Sequence, residues 1–227
     1  GGVDVLSARA AVDIYQTFVR GAIIQTTSRT AELAKLVENT FRDINIAFAN
    51  ELSMVCFDGG VDVHELIEIC NRHPRVNILD PGIGVGGHCI PIDPWFYNEF
   101  ANDGSMLVNA SRAINISKTK WTIRAIESQL KSLHALDSRV GVLGLTYKPD
   151  VHDFRESPAM KIYQSLRASG YRAMAFDPFL EGQVDLRDFI EQCDVIVGLV
   201  AHREFKIAFD EGWFSGKDFL DYGGVSK

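Results

Sequence analysis

No stretch of lysine and arginine in this sequence is long enough to make a basic stripe, and Asp plus Glu outnumber Lys plus Arg by 30 to 23, for a net charge of −7 at pH 7. Nucleic acid is therefore not an expected partner, because affinity for a phosphate backbone needs clustered cations. No apolar run reaches the roughly 20 residues of a membrane-crossing helix, and no secretory pattern opens the chain. No membrane partner and a cytoplasmic location are the expectation. The four cysteines, Cys56, Cys70, Cys89 and Cys193, have neither the spacing of a zinc set nor that of a disulfide framework. No metal is expected, and a reducing compartment suits them. Prolines are also few, seven in 227 residues, yet three crowd into one short stretch.

That stretch is Asp80 to Phe96, DPGIGVGGHCIPIDPWF. Its glycines and prolines argue against a regular helix or a central strand, so a shaped loop is expected. Gly82 to Gly87 spell G-x-G-x-x-G, but a dinucleotide fingerprint needs a strand before it and a helix opening at the third glycine, which Pro91 and Pro94 oppose. Glycine instead lets a backbone turn sharply and approach a ligand closely. The loop presents Cys89 between His88 and Ile90, with Asp93 four residues on. The other three cysteines lie in apolar periodic segments and read as small buried hydrophobes.

Elsewhere the hydrophobic period gives a helix over about Ala8–Val19, a short strand over Gly21–Thr27, and a long helix N-capped by Thr30. On that helix Leu33, Leu36, Val37, Phe41, Ile44, Phe48 and Leu52 predict a buried stripe. Lys35 and Asn39 stand one turn apart, a spacing equally at home on a solvated surface. A helix over Val63–Cys70 ends before Pro74, with His73 and Arg75 in the exit. A second long helix spans about Ser105–Leu130, with Leu107, Ala110, Ile114, Trp121, Ala125 and Leu130 near helical spacing. After Asp137 short apolar runs alternate with helices. Strands are expected at Arg139–Tyr147, Tyr171–Phe176, Asp194–Val200 and Asp218–Asp221, with helices at Met160–Ala168 and Leu186–Gln192, which makes a parallel α/β domain. A lone strand near residue 24 has no sheet to join, so a segment upstream is expected.

The loop Val85-Gly86-Gly87-His88-Cys89 with Asp93 resembles the G-x-G-G-x-C…D nucleophile motif of the UDP-glucose/GDP-mannose dehydrogenase family. The form GVGGHCIPIDPWF looks most like its acetamido-sugar branch, the UDP-N-acetylmannosamine dehydrogenases. Ala34-Lys35 with Asn39 matches that family's A-x-K-x-x-x-N helix. Gly144, Lys148, Asp153, Arg155, Glu156 and Ser157 match its G-x-x-x-K-x-x-x-x-D-x-R-E-S turn. The resemblance implies a fold of class α/β: a helical central, dimerising domain over 29–135, joined by a long helix to a Rossmann-like parallel α/β UDP-binding domain over 136–227. Residues 1–28 would then be the remnant of an N-terminal NAD-binding domain, without which the chain alone is expected to be inactive.

The resemblance also implies the chemistry, which is oxidation of a UDP-sugar C6 alcohol to the uronate with NAD as cofactor, in two hydride transfers through a cysteine thioester. Cys89, Lys35, Asn39 and Asp93 would be catalytic. His73, Arg75, Asp80, Gly82, Gly86, Tyr147 and Lys148 would hold substrate, His73 or Arg75 reaching into a partner subunit, and Arg155 would meet NAD. Lysine and arginine on a strand-end loop suit a diphosphate, while an internal ion pair to Asp150, Asp153 or Glu156 is the plain alternative for each. The chain departs from UDP-glucose oxidisers at Ile92, where they carry lysine, and at Phe219–Gly224, which lacks their arginine. UDP-N-acetyl-D-mannosamine is therefore the expected substrate, in a pathway of polysaccharide biosynthesis. UDP-glucose or another UDP-hexose remains an alternative, as does a non-catalytic UDP-binding and dimerisation module.

Overall fold

The computed structural model describes residues 1–101 and 104–227. Helix α1 (Val5–Tyr15) starts three residues earlier than the periodicity predicts, because the Asp4 carboxylate caps it by accepting the Ser7 N–H at 2.7 Å. The expected strand over Gly21–Thr27 does not form. An isolated parallel bridge joins Gly2 to Thr27, and an extended segment with no neighbouring strand gains no ladder.

Helix α2 (Ser28–Gly59) begins one turn before the expected cap. Thr27 is the N-cap, its Oγ1 accepting the Thr30 N–H at 3.2 Å, and Gly60 ends the helix at φ 67°, where a side chain would be strained. Helix α3 (Val63–Cys70) follows, then the loop, then α4 (Asp93–Phe100) and α5 (Met106–Ser132). Helix α4 corrects the reading of Asp80–Phe96 as loop throughout. Pro94 lies in its first turn, where a missing N–H leaves no intrahelical bond unmade.

The faces of the two long helices are also corrected. Val37, Phe41 and Phe48 of the expected buried stripe are exposed, and α2 turns Asn39, Asp43, Asn50 and Ser53 inward. On α5 the buried face is Val108, Arg112, Asn115, Lys118, Thr122 and Ile126, so of the expected set Leu130 alone is fully buried. The two helices pack through polar side chains. Arg112 Nη1 donates to Asp43 Oδ1 at 2.6 Å, Asn50 Nδ2 to Asn115 Oδ1 at 2.9 Å and Lys118 Nζ to Ser53 Oγ at 2.7 Å.

The C-terminal half is a four-stranded parallel sheet in the order β2-β1-β3-β4, from β1 (Arg139–Leu143), β2 (Arg172–Phe176), β3 (Val195–Gly198) and β4 (Asp218–Asp221). Val140 stands opposite Ala173 on one side and Val195 on the other. Helices α6 (Pro158–Ala168), α7 (Leu186–Gln192) and α8 (Arg203–Asp210) make the crossovers. Helix α8, absent from the sequence reading, is the connection that two adjacent parallel strands require. One face of the sheet packs Val140, Val142, Ile162 and Leu166 with Ile126 and Leu130 of α5, which ties the two halves together. The other face packs Leu143, Phe176, Phe189, Ile196 and Phe205. Strand order reverses between β1 and β3, and ligands of open α/β sheets bind outside the strand ends at such a point.

Candidate active site

Strand β1 stops at Gly144, whose φ of 88° suits glycine, and the chain turns through Leu145–Lys148 at the reversal point. A buried pair shapes this turn. Asp177 Oδ2 accepts the N–H groups of Leu145 and Thr146 at 2.6 and 3.0 Å, and lies 3.2 Å from His202 Nε2. Burial by itself would raise the Asp177 carboxyl, but His202 and the backbone donors hold it below its usual range. The Asp150 N–H donates to His202 Nδ1 at 3.0 Å, which assigns the ring proton to Nε2. The result is a fixed Tyr147-Lys148 at the sheet's carboxyl edge.

The glycine loop runs between this turn and the helices. The Gly82 N–H donates to Asn50 Oδ1 of α2 at 2.8 Å, and Thr119 Oγ1 of α5 donates to the Ile83 carbonyl at 3.0 Å. Farther along, the Gly87 N–H donates to the Arg155 carbonyl at 3.0 Å. A Cβ on Gly86 would come within 2.8 Å of Glu156 O, Pro158 Cδ and Tyr147 Cβ. Only glycine permits that approach, which presses the loop onto the C-terminal half.

Cys89 emerges half-buried from this clamp, with its Sγ 3.0 Å from His88 Nδ1. Its carbonyl accepts the Asp93 N–H at 2.8 Å, which opens α4, and Asp93 Oδ2 accepts Asn39 Nδ2 at 2.5 Å. One turn before Asn39, Lys35 lies exposed, 3.5 Å from Glu38. Lys35, Asn39, Gly86, Cys89, Tyr147 and Lys148 line one cleft of about 290 Å³, together with Arg42, Gly87, His88 and Ile90. Cys193 is the contrast. It is fully buried, and burial pushes its thiol up to about 11.

The other expected site residues lie apart from that cleft. Gly82 borders a neighbouring cavity lined by Lys118 and Trp121, and Asp80 one shared with His64 and Lys206. His73 and Arg75 occupy an exposed turn after α3, where the Arg75 N–H donates to His73 Nδ1 at 3.2 Å. Arg155 takes the plain alternative. Its Nη2 is 2.6 Å from Asp153 Oδ2, and these hydrogen bonds hold the Asp153 carboxyl down to about 2. Lys148 does not, since no carboxylate lies within 4.0 Å of it among the described residues. Its nearest candidates are engaged elsewhere. Asp153 pairs with Arg155, Glu156 with Lys161 at 2.6 Å, and Asp150 accepts the Arg203 N–H at 3.0 Å.

Four of the lining residues, Arg42, Gly87, His88 and Ile90, were not among the expected site residues. Arg42 stands one turn beyond Asn39, a spacing that could have found it. His88 precedes the cysteine, and its ring against Sγ becomes visible only once the loop is folded. Chemically the cleft offers a thiol, an imidazole, a carboxamide tied to a carboxylate, and at least two cations facing the carboxyl end of a parallel sheet. That set suits an anionic substrate and covalent catalysis by sulfur.

Comparison with known proteins bears on both halves. The profile for the UDP-glucose/GDP-mannose dehydrogenase family, central domain, matches residues 29–120, and that for the same family's UDP binding domain matches residues 141–218. A UDP-N-acetyl-D-mannosamine dehydrogenase of Methanococcus vannielii is 45% identical over 210 residues, covering 91% of this chain and 49% of that protein. The chain spans about half the length of the relatives it matches. Among solved structures, UDP-D-ManNAc dehydrogenase from Pyrococcus horikoshii superposes with a TM-score of 0.91 at 37% identity, over 100% of this chain and 56% of that one. UDP-N-acetyl-mannosamine dehydrogenase from Staphylococcus aureus gives 0.83 at 36%, over 99% and 59%. With the nucleotide-sugar motifs on the cleft and both halves matched in order, the chain belongs to the UDP-glucose/GDP-mannose dehydrogenase family.

Proposed function

We propose that this chain carries the nucleophile and the UDP-sugar site of an NAD-dependent UDP-N-acetyl-D-mannosamine 6-dehydrogenase, acting in cytoplasmic polysaccharide biosynthesis. The observation that carries the reading is the cleft itself, where Cys89, Lys35, Asn39, Tyr147 and Lys148 converge from α2, the glycine loop and the β1 turn. Relatives named for that substrate support the choice of sugar.

In this reading Lys148, with no carboxylate partner among the described residues, meets the diphosphate, and Gly82 to Gly86 let the nucleotide approach the backbone. The sugar C6 then lies at Cys89. Once C6 is at the aldehyde level, the sulfur forms a bond to it and the carbonyl oxygen takes the charge, giving a thiohemiacetal. Loss of a second hydride leaves a thioester. Water then adds, the C–S bond breaks, and the carboxylate and the thiol are released. Lys35 and Asn39 face that oxygen, a role worth about 3 kcal/mol per donor where water is excluded. Asp93, held by Asn39, positions the attacking water. NAD would supply the hydride acceptor, and the family resemblance makes Arg155, whose carbonyl accepts the Gly87 N–H of the Cys89 loop, the residue that would meet it. Its pairing with Asp153 would have to open or be shared.

Calorimetry with UDP-N-acetylmannosamine, UDP and NAD⁺ tests the site. The UDP ligands should bind near the millimolar end, about −4 kcal/mol, and Lys148→Met should weaken them about tenfold. NAD⁺ binding more tightly than either would mean the α/β domain takes the other nucleotide. In the full-length enzyme that includes the NAD-binding domain, Cys89→Ser should stall uronate formation after the first oxidation, because an oxygen ester is harder to form and to hydrolyse. Uronate made at the unsubstituted rate would remove Cys89 from the mechanism. A homodimer through the central domain belongs to the same proposal, supported by the exposed α2 stripe of Val37, Phe41, Phe48 and Val55.

A further inference from the structure

The polar contact between α2 and α5 is a directed chain that ends on the glycine loop. Asp43 and Asn50 are fully buried, and Asn115 is 2% exposed. Asp43 Oδ1 accepts from both Arg112 Nη1, at 2.6 Å, and Asn115 Nδ2, at 2.8 Å. Asn115 Oδ1 then accepts Asn50 Nδ2 at 2.9 Å, which leaves Asn50 Oδ1 to accept the Gly82 N–H at 2.8 Å. A carboxylate only accepts, so its end of the chain fixes the orientation of both amides. Reversing Asn50 would set its NH₂ group against the Gly82 N–H, and reversing Asn115 would set its oxygen against the Asp43 carboxylate.

An apolar helix contact of the same shape would be at least as stable as a buried ion pair with two amides. What the polar version adds is a fixed acceptor at Gly82. Thr119 fastens the next residue through its bond to the Ile83 carbonyl. Loop residues 84 to 89 then run from this anchor to the Gly87–Arg155 contact and on to Cys89.

We infer that Asn50, oriented by Asn115 and Asp43 and assisted by Thr119, is a positioning residue that sets the Gly82 end of the Cys89 loop for the UDP-sugar. The inference rests on the proposed function for the identity of the ligand, but not for the seating of the loop.

Amide hydrogen exchange on the 227-residue chain separates the two. Asn50→Leu should speed exchange at Gly82 at least tenfold and at Gly87 by a smaller factor, while Ile126 and Leu130 of α5 keep their rates. Asn50→Asp, protonated in this buried site, keeps an acceptor for Gly82 and an O–H donor for Asn115 Oδ1, and should recover most of the protection. Val108→Ala, which makes a cavity on the same α5 face without touching the loop, should leave the loop amides unchanged. Should Asn50→Leu fail to fold, Thr119→Val cuts the second anchor and should speed the loop about threefold. Loop amides unmoved by these variants, moved equally by Val108→Ala, or as fast in Asn50→Asp as in Asn50→Leu would overturn the inference. Asn50→Leu should also raise the Kd for UDP-N-acetylmannosamine about fivefold. A loosened loop with unchanged affinity would reduce the chain to a structural tie and equally overturn the positioning role. If the unsubstituted protein binds no UDP-sugar, the proposed function fails while the exchange measurements still decide the seating.

Discussion

In the C-terminal half, both faces of the sheet are covered by aliphatic and aromatic side chains from the same chain. Between α2 and α5 the protein instead buries Asp43, Asn50, Arg112, Asn115 and Lys118, and turns Phe41, Phe48 and Val55 to solvent. The α/β half is built on these two apolar clusters, one of which α5 completes with Ile126 and Leu130. The helical half spends its interior on orientation and leaves part of its apolar surface exposed. Burial therefore means something different in each half. In one it supplies stability, and in the other it supplies geometry for the loop at Cys89.

The strongest way to break the contrast is to cut the same side chain in each half. Phe205 is fully buried, 5.2 Å from the His202 ring and 6.0 Å from Phe176. Phe205→Ala should cost about 3–5 kcal/mol in urea unfolding, and it should also loosen the Tyr147-Lys148 turn, since Phe205 backs the His202 that shapes it. Phe41→Ala should cost under about 1 kcal/mol measured on the dilute chain, because that side chain is 65% exposed. Equal losses would show that the two halves share one core.

A second, smaller effect separates burial that stabilises from burial that does not. Lys118 is 4% exposed, and burial pushes its amine down to about 8 from the ordinary 10.5. Between those values the unfolded chain holds a proton that the folded chain has released, so stability rises with pH across that window. Below pH 8 the full cost of burying the charge is present, up to about 3 kcal/mol at 1.36 kcal/mol per unit. The Trp121 ring, 4.1 Å from Nζ, and Ser53 Oγ offset part of it. Lys118→Met should therefore stabilise the protein by about 1–2 kcal/mol at pH 7, with the difference gone by about pH 10.5. A destabilised variant at pH 7 would mean that the ammonium is compensated better than its surroundings indicate.

The same contrast explains what could be read from the sequence. In the α/β half apolar means inside, and the strands at Arg172–Phe176, Val195–Gly198 and Asp218–Asp221 fall where the apolar runs lie. Both β1 and β3 are shorter than expected, at five and four residues, and β1 ends where the chain reaches Gly144 at φ 88°. In the helical half that rule inverts. Asn50 and Asn115 look like solvent-facing positions until their partners are known, and Phe41 and Phe48 look like core. Cys89, Lys35, Asn39 and Lys148 were picked out by motif resemblance, and the structure lines one cleft with them. The Asn50 chain joins residues 32 to 72 positions apart, and no local pattern reports such pairs. Pro94 misled for a local reason, because a proline that breaks a helix interior also starts one well.

The smallest expected effect on the folded subunit is also the one that tests the outward apolar face. Phe41 and Phe48 are 65% and 54% exposed, and with Val55 they recur every seven residues along α2, so they form one stripe. An exposed apolar stripe of this kind marks an interaction surface, and in the proposed homodimer it would lie against the partner's α2. The chain of 25.2 kDa should accordingly scatter light as a particle of about 50 kDa at micromolar concentration. Replacing Phe41 and Phe48 together by serine should return the mass to that of one chain. Measured at high dilution, the unfolding free energy of the doubly substituted chain should stay within about 0.5 kcal/mol of the original, as for surface positions generally. At high concentration the original should gain apparent stability and the variant should not, because association favours only the folded form. A doubly substituted chain that loses several kcal/mol even when dilute would place the stripe inside the subunit's own fold, and the contrast between the two halves would then collapse.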